Sequence, residues 1–483
     1  MPDAPATPSY GDVERALLSR WPESRLDPTL DRIAAVCDLL GEPQRSYPVI
    51  HVAGTNGKTS TSRMVDALLR ALGLRTGRFT SPHLESMTER ISVDAEPLTE
   101  ERFAQLYAEV LPYAEMVDRS GGHPLSFFEL VTAIAFAAFA DAPVDAAVLE
   151  VGMGGRWDAT NVADAAVAVV TPVAVDHTRY LGHTPGEIAV EKAGVIKPGA
   201  FAVLAEQPDD AAEALLRRVV EVGATVAREG VDFGVVERAV AVGGQRLTLQ
   251  GLGASYDEVF LPLHGAHQAQ NAACALAAVE AFTGGAETGA LGVEVVREAF
   301  AAVTSPGRLE VVRRSPPVIL DAAHNPHGAA ATAAAVEEVF ALDPLVGVVS
   351  SMADKDVSGV LDALEPVLDL VVCSQNSTRR AMPTSVLAAV AREVFGAERV
   401  IERPRLDDAL EAAIELAETS GTASGAAVAG GVLVTGSVIT AGEARTLLGG
   451  PGSAATTAAG GPGAAKARSG VGAQSSDGSV DGR

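Results

Sequence analysis

The sequence predicts an α/β protein: an N-terminal P-loop ATPase-type domain with a parallel sheet and a small antiparallel β part, followed by a smaller, doubly wound C-terminal α/β domain. Three observations predict it. Apolar β-rich runs alternate with amphipathic helical stretches, a glycine-rich loop joins the first run to the first helix, and the alternation resumes after a Pro-Gly break.

The first run, Ser46 to Ala53, passes straight into glycines and then into a stretch that carries Met64, Val65, Leu68 and Leu69 at helical spacing. The pattern then predicts a helix over 128–139, strands over 146–151 and 166–171, a helix over 187–195 and a strand over 201–205. Parallel strands joined by helical crossovers account for it. Over 225–263 the pattern changes to short alternating runs with glycine turns, which predicts the antiparallel part. A helix over 271–282 precedes Thr304-Ser-Pro-Gly-Arg308, where the Pro-Gly pair predicts a boundary dividing 1–304 from 305–448. Strands over 318–321, 345–350, 370–373 and 431–435 make up the second domain. Residues 449–483 collapse to Gly, Ala, Ser and Thr without periodicity and are expected to form a disordered tail.

Composition narrows the function. A chain of 483 residues suits two domains, and a net charge of −25 argues against a nucleic-acid partner, since the favourable release of counterions from phosphates needs a basic surface. Cys37, Cys274 and Cys373 have no paired spacing, so they read as small buried hydrophobes rather than disulfides or zinc ligands. The N-terminus lacks a basic and apolar leader pattern, and no run approaches the ~20 apolar residues a bilayer requires. No membrane partner is expected, and the cytoplasm is the expected compartment.

The strongest chemical signal is Gly54-Thr55-Asn56-Gly57-Lys58-Thr59-Ser60 at a strand end opening a helix. Backbone N–H groups there can cradle a nucleoside triphosphate, Lys58 can reach the β- and γ-phosphates, and Thr59 or Ser60 can offer a hydroxyl to phosphate or Mg²⁺. Val52 stands where the usual P-loop has its first glycine. Glu150 ends an apolar strand at the carboxyl edge where substrates bind, which makes it a candidate Mg²⁺ ligand. The glycines after it, Gly152, Gly154 and Gly155, allow close approach of backbone to substrate, or simply a turn capped by Asp158. Arg308, after the Pro-Gly pair, offers a planar fork suited to phosphates.

The shortened Gly-Thr-Asn-Gly-Lys loop resembles that of the Mur ligase family, and Thr80-Ser81-Pro82-His83-Leu84, Asp158-Ala-Thr-Asn161, Asp321-Ala-Ala-His324-Asn325-Pro326 and their order resemble its folylpolyglutamate/dihydrofolate synthase branch. The resemblance runs from about Leu30 to Leu448. It implies ATP and Mg²⁺, with Ser81 as a metal ligand, His177 on a second Mg²⁺ and Lys192 carbamylated nearby. It also implies Asn271 at the adenine, and Asp321 and His324 positioning the nucleotide. Weaker matches at Asp354-Lys355-Asp356 and Thr435-Gly-Ser437 imply glutamate contacts. The implied substrates are a folate or dihydropteroate and L-glutamate, joined by a monomer through an acyl phosphate. Folylpolyglutamate synthase, dihydrofolate synthase and an enzyme with both activities all remain open. A peptidoglycan-type relative would carry a UDP-binding domain of roughly 100 residues ahead of the loop, and Gly54 comes too early for that. A P-loop switch protein would leave the second domain unexplained.

Overall fold

Residues 7–22, 27–284, 290–423 and 429–449 are described by the computed structural model. The expected tail beyond Gly449 lies outside them. Eight strands form the first sheet: β1 (Val49–Ala53), β2 (Thr76–Phe79), β3 (Ile91–Val93), β4 (Glu96–Pro97), β5 (Ala146–Glu150), β6 (Ala165–Val170), β7 (Phe201–Leu204) and β8 (Thr225–Arg228). Their order is β4-β3-β2-β5-β1-β6-β7-β8, so β1 is central, between β5 and β6. The central pairs are parallel.

The continuous apolar runs follow from burial on both faces. Ile50, Val52, Val148, Val167 and Val169 point to a core shared with Met64 and Leu68 of helix Lys58–Ala71 and with the alanines of helix Ala266–Phe282. Val49, Ala147 and Leu149 point the other way, against helices Glu100–Arg119 and Phe127–Asp141. Ala53, Ala168, Val170, Ala202 and Leu204 pack with helices Pro185–Lys192 and Asp209–Val222.

A second sheet is antiparallel, β11-β10-β9, formed by β9 (Gly234–Ala241), β10 (Gly244–Gln250) and β11 (Ser255–Leu261). The third has six strands: β12 (Glu310–Arg314), β13 (Pro317–Leu320), β14 (Leu345–Val349), β15 (Leu370–Cys373), β16 (Val400–Glu402) and β17 (Gly431–Thr435), in the order β12-β13-β17-β14-β15-β16. Helices on both faces make it doubly wound.

Two expectations need correction, on where the antiparallel part begins and on the first sheet being parallel. Residues 225–228 join the first sheet as its parallel edge strand and the antiparallel part begins at Gly234, because a four-residue run fits either pairing. The first sheet is mixed, since β3 returns antiparallel to β2 and β4 to β3. The third is mixed through β12, which a tight connection at Ser315-Pro316 turns back onto β13. All three cysteines are buried and free. Among the described residues no helix is long and apolar enough to cross a membrane.

Candidate active site

The glycine loop leaves the carboxyl end of β1 and needs both of its glycines. Gly54 has φ +145°, and a Cβ there would overlap the Thr171 hydroxyl; Gly57 has φ +87°, and a Cβ there would overlap Asn271 Oδ1. Thr55 N donates to Pro172 O at 3.0 Å, and the Thr55 hydroxyl donates to Ala174 O at 3.0 Å while accepting from Ala174 N at 3.1 Å. The loop is thereby stapled to the segment after β6. Gly57 starts helix Lys58–Ala71 with no side chain bonded to its first N–H groups, which suits an anion at that end.

Two lysines converge on one carbonyl. Gly54 O accepts from Lys192 Nζ at 2.7 Å and from Lys58 Nζ at 3.2 Å. Burial pushes the Lys58 ammonium down from its ordinary pKa against the opposing pull of Glu150. Burial, with Lys58 adding to it, brings Lys192 down to about 7. Glu150 Oε1 accepts from the Thr59 hydroxyl at 2.9 Å and Oε2 from Ser81 N at 3.3 Å. Burial raises the Glu150 carboxyl while Lys58 pulls it back. The Ser60 hydroxyl pairs instead with Ser305 Oγ, 3.1 Å away in the segment that leads to the third sheet.

Asp176 is the hub between the two halves of the chain. It accepts from Lys355 Nζ at 2.6 Å and Asn325 Nδ2 at 3.1 Å, and His324 Nε2 stands 3.5 Å away. Burial alone would raise its carboxyl; the hydrogen bond from His324 and the charges of His177 and Lys355 outweigh that and hold it well below the usual carboxylate range. Burial, then the charge of Lys355, lowers His177 to about 3. Asn56 and Asn325 exchange side-chain hydrogen bonds at 3.2 and 3.0 Å across the same seam. Asn325 also caps helix Pro326–Val339 through Gly328 N, with Pro326 in the first turn. Asp321 accepts from Leu309 N at 3.0 Å, Ala323 N at 2.9 Å and the Thr332 hydroxyl at 2.8 Å, so it sets the turn that follows Arg308.

All the candidates line one cavity of about 690 Å³: Gly54 to Ser60, Ser81, Glu150, His177, Lys192, Asn271, Arg308, Asp321 and His324. Reasoning from sequence alone missed several neighbours. Asp176, His267, Gln268 and His327 line the cavity as well. Lys355 reaches Asp176, whereas Asp354 pairs with Arg380 at the surface and Asp356 caps helix Val357–Leu364. The only signal for Lys355 in the sequence was the Asp-Lys-Asp triplet, which does not say which member points inward. Thr435 bonds Ala323 O, and Ser437 caps helix Val438–Leu447. Asp158 caps residues 159–162, and Gly155 makes its close approach to the backbone of Glu191 and Lys192 rather than to the cavity.

Two family models match: the Mur ligase middle domain over 122–279 and the Mur ligase glutamate ligase domain over 307–438. The chain is 52% identical over 456 residues to the dihydrofolate synthase/folylpolyglutamate synthase of Mycobacterium tuberculosis, covering 90% of this chain and 93% of that one. It is 36% identical over 357 residues to the Escherichia coli protein of the same name, covering 72% and 78%. Among solved structures, Mycobacterium tuberculosis folylpolyglutamate synthase complexed with ADP superposes with a TM-score of 0.88 at 52% identity, over 91% of this chain and 98% of that one. E. coli FolC in complex with DHPP and ADP superposes with a TM-score of 0.78 at 30% identity, over 92% and 98%. The chain belongs to the dihydrofolate synthase/folylpolyglutamate synthase family of Mur ligases.

Proposed function

We propose that the chain is an ATP-dependent ligase that joins L-glutamate both to dihydropteroate and to reduced folates in one active site. The observation that carries this reading is one cavity in which a phosphate-type loop, the part-buried Lys58, the buried Lys192 and Glu150 meet Arg308, Asp321 and His324 from beyond the Pro-Gly break. Relatives bound to DHPP with ADP, and to folate with AMPPCP, support the choice of substrates.

A carboxylate has no leaving group that an amine can displace, so the acceptor must be activated first. The γ-phosphoryl group of ATP passes to an acceptor carboxylate oxygen, the bond to the β-bridging oxygen breaks, and ADP leaves. The glutamate amine then attacks the acyl carbon, loses a proton and expels phosphate. Lys58, the loop N–H groups and Arg308 offset the negative charge that gathers during the first step. Asn271 holds the adenine, and Asp321 and His324 position the nucleotide.

The donor set fits Mg²⁺. Thr59 and Ser81 supply hydroxyls and Glu150 a carboxylate, while the described residues contain no group of three His, Cys, Asp or Glu that would form an all-protein cage. An ion that keeps water and takes phosphate oxygens asks for such a sparse set. Bound there with His177 at a second position, Mg²⁺ would neutralise phosphate charge. Burial brings the Lys192 ammonium down to about 7, which favours the neutral amine whose lone pair can add CO₂ and release a proton to become a carbamate.

Residues 1–304 and 305–448 act as two domains closing about Thr304 to Arg308, since near-attack geometry requires their groups together. The enzyme works as a monomer in the cytoplasm. Phosphate release from ATP with Mg²⁺ and glutamate tests the reading, comparing dihydropteroate, tetrahydrofolate and no acceptor. Release with either pterin and none without is expected; release indifferent to acceptor would overturn it.

A further inference from the structure

The segment from Ser81 to Arg90 is braced as one piece. Glu89 accepts from the N–H groups of Leu84, Glu85 and Ser86 at 2.9, 2.9 and 2.7 Å, and Arg90 Nε donates to His83 Nδ1 at 2.9 Å. One end of the piece is Ser81, whose N–H holds Glu150 at the cavity. Its middle is held by the other domain, in three independent ways. Leu84 packs into the core around β17 and helix Val438–Leu447. Leu84 O lies so close to Gly442 on that helix that a Cβ there would overlap it. Arg445, with its side chain 8% exposed, pairs with Glu85, and Thr446 Oγ1 donates to Glu85 at 3.2 Å. The same guanidinium donates from Nε to both oxygens of Glu310 at 3.2 Å, and Glu310 accepts from Gly307 N at 2.9 Å in the connection between the domains.

We infer that Gly442 and Arg445 clamp this loop so that Ser81 reaches its place beside Glu150 only when the C-terminal domain is seated, which makes Arg445 a positioning residue for phosphoryl transfer. The inference rests on the ligase reading for its kinetic consequence, and on geometry alone for the movement of the loop. A rigid piece transmits displacement: freeing Glu85 and Leu84 lets Ser81 and the carboxylate it holds drift together. A misplacement of about 1 Å at a reacting site costs about 100-fold in rate. The nucleotide loop is held separately, through Pro172 and Ala174, so binding of ADP without metal should not feel the change.

The test uses Arg445→Gln and Gly442→Ala in the full chain. The first removes the charge; the second removes none and pushes the backbone of Leu84 away. Turnover with ATP, tetrahydrofolate and glutamate is measured beside ADP affinity in chelator and beside the rate at which a glutamate-specific protease cuts after Glu85 and Glu89. Both variants are expected to lose about 100-fold in kcat, hold ADP affinity within about threefold and be cut at least about tenfold faster. Glu85→Gln, which keeps the side chain's shape, serves if either variant fails to fold, with Glu89 as the site read. Unchanged cutting in folded variants, or ADP affinity falling in step with kcat, would overturn the clamp. Absence of turnover in the unmodified chain would count against the ligase reading only, because the cutting rates still report on the loop.

Discussion

Replacing Asp176 with Asn removes the charge of a carboxylate that is 8% exposed and strands the Lys355 ammonium, 9% exposed, without its counterion. An uncompensated buried charge costs about 3–5 kcal/mol. The two residues lie on opposite sides of the connection at Thr304 to Arg308, so the cost falls on the contact between the parts built around the first and third sheets rather than on either core. Under the proposed closure, and at tenfold per 1.4 kcal/mol, the lower figure already shifts the ratio of closed to open molecules by about 100-fold. Asp176 adjoins His177, so loss of turnover in Asp176→Asn alone could reflect local damage. Lys355→Met avoids this, since it keeps most of the stem and removes the charge from the other side. Steady-state kcat/KM and the radius of gyration in solution are measured for each single variant and for the pair. Each single variant should lose about 100-fold in kcat/KM and expand. The double variant, with neither charge buried alone, should lose less than the sum by about 1–3 kcal/mol. Strictly additive losses, or single variants that keep full turnover and compactness, would refute the reasoning.

Gly57→Ala must relieve both a left-handed backbone and an overlap with Asn271 Oδ1, costs of about 1–3 kcal/mol each, and should weaken ADP binding in calorimetry by at least about tenfold. Lys192→Ala should abolish turnover, and ¹³C-bicarbonate should give a carbamate NMR signal in the unmodified protein that this variant lacks. Because the neutral amine is the reactive form, the signal should rise with pH through about 7. His51, buried and lowered to about 3 by desolvation, stays neutral when folded but takes up a proton near pH 6.5 when unfolded. The unfolded state therefore binds more protons, so stability is fully present above about pH 6.5 and is lost as pH falls toward 3. Urea melts of His51→Gln should show a pH slope shallower by about 1.4 kcal/mol per unit between pH 4 and 6.

The parts of this molecule that could be read from its sequence are those where local chemistry and the fold require the same residue. Gly54 and Gly57 announce a positive φ, and Glu150 closes an apolar run at the edge where substrates bind. Strands buried on both faces, such as Ala146–Glu150 and Gly431–Thr435, carry unbroken apolar runs and were placed to within a residue. Short edge strands escaped for the opposite reason: Ile91–Val93 and Glu96–Pro97 gain their identity only from pairing with a neighbour. Long-range pairings were equally silent. Nothing adjacent in the chain marks Lys355 as the partner of Asp176, or Arg445 as the partner of Glu85. The Thr160 hydroxyl that lies 2.8 Å from His51 behind the glycine loop is a third such case.

The alanine seam between helix Lys58–Ala71 and helix Ala266–Phe282 sets a length. The first helix opens at the glycine loop and the second carries Asn271, whose Oδ1 lies against Gly57, with Ala272, Ala273 and Ala275 wholly buried between or beside them. Side chains this small leave little slack, so the spacing between the glycine loop and Asn271 is gauged by core packing behind the cavity wall. A methyl group added at Ala272 or Ala275 would act as a spacer in a calliper. It would shift Asn271 against the glycine loop without altering a single residue of the cavity wall.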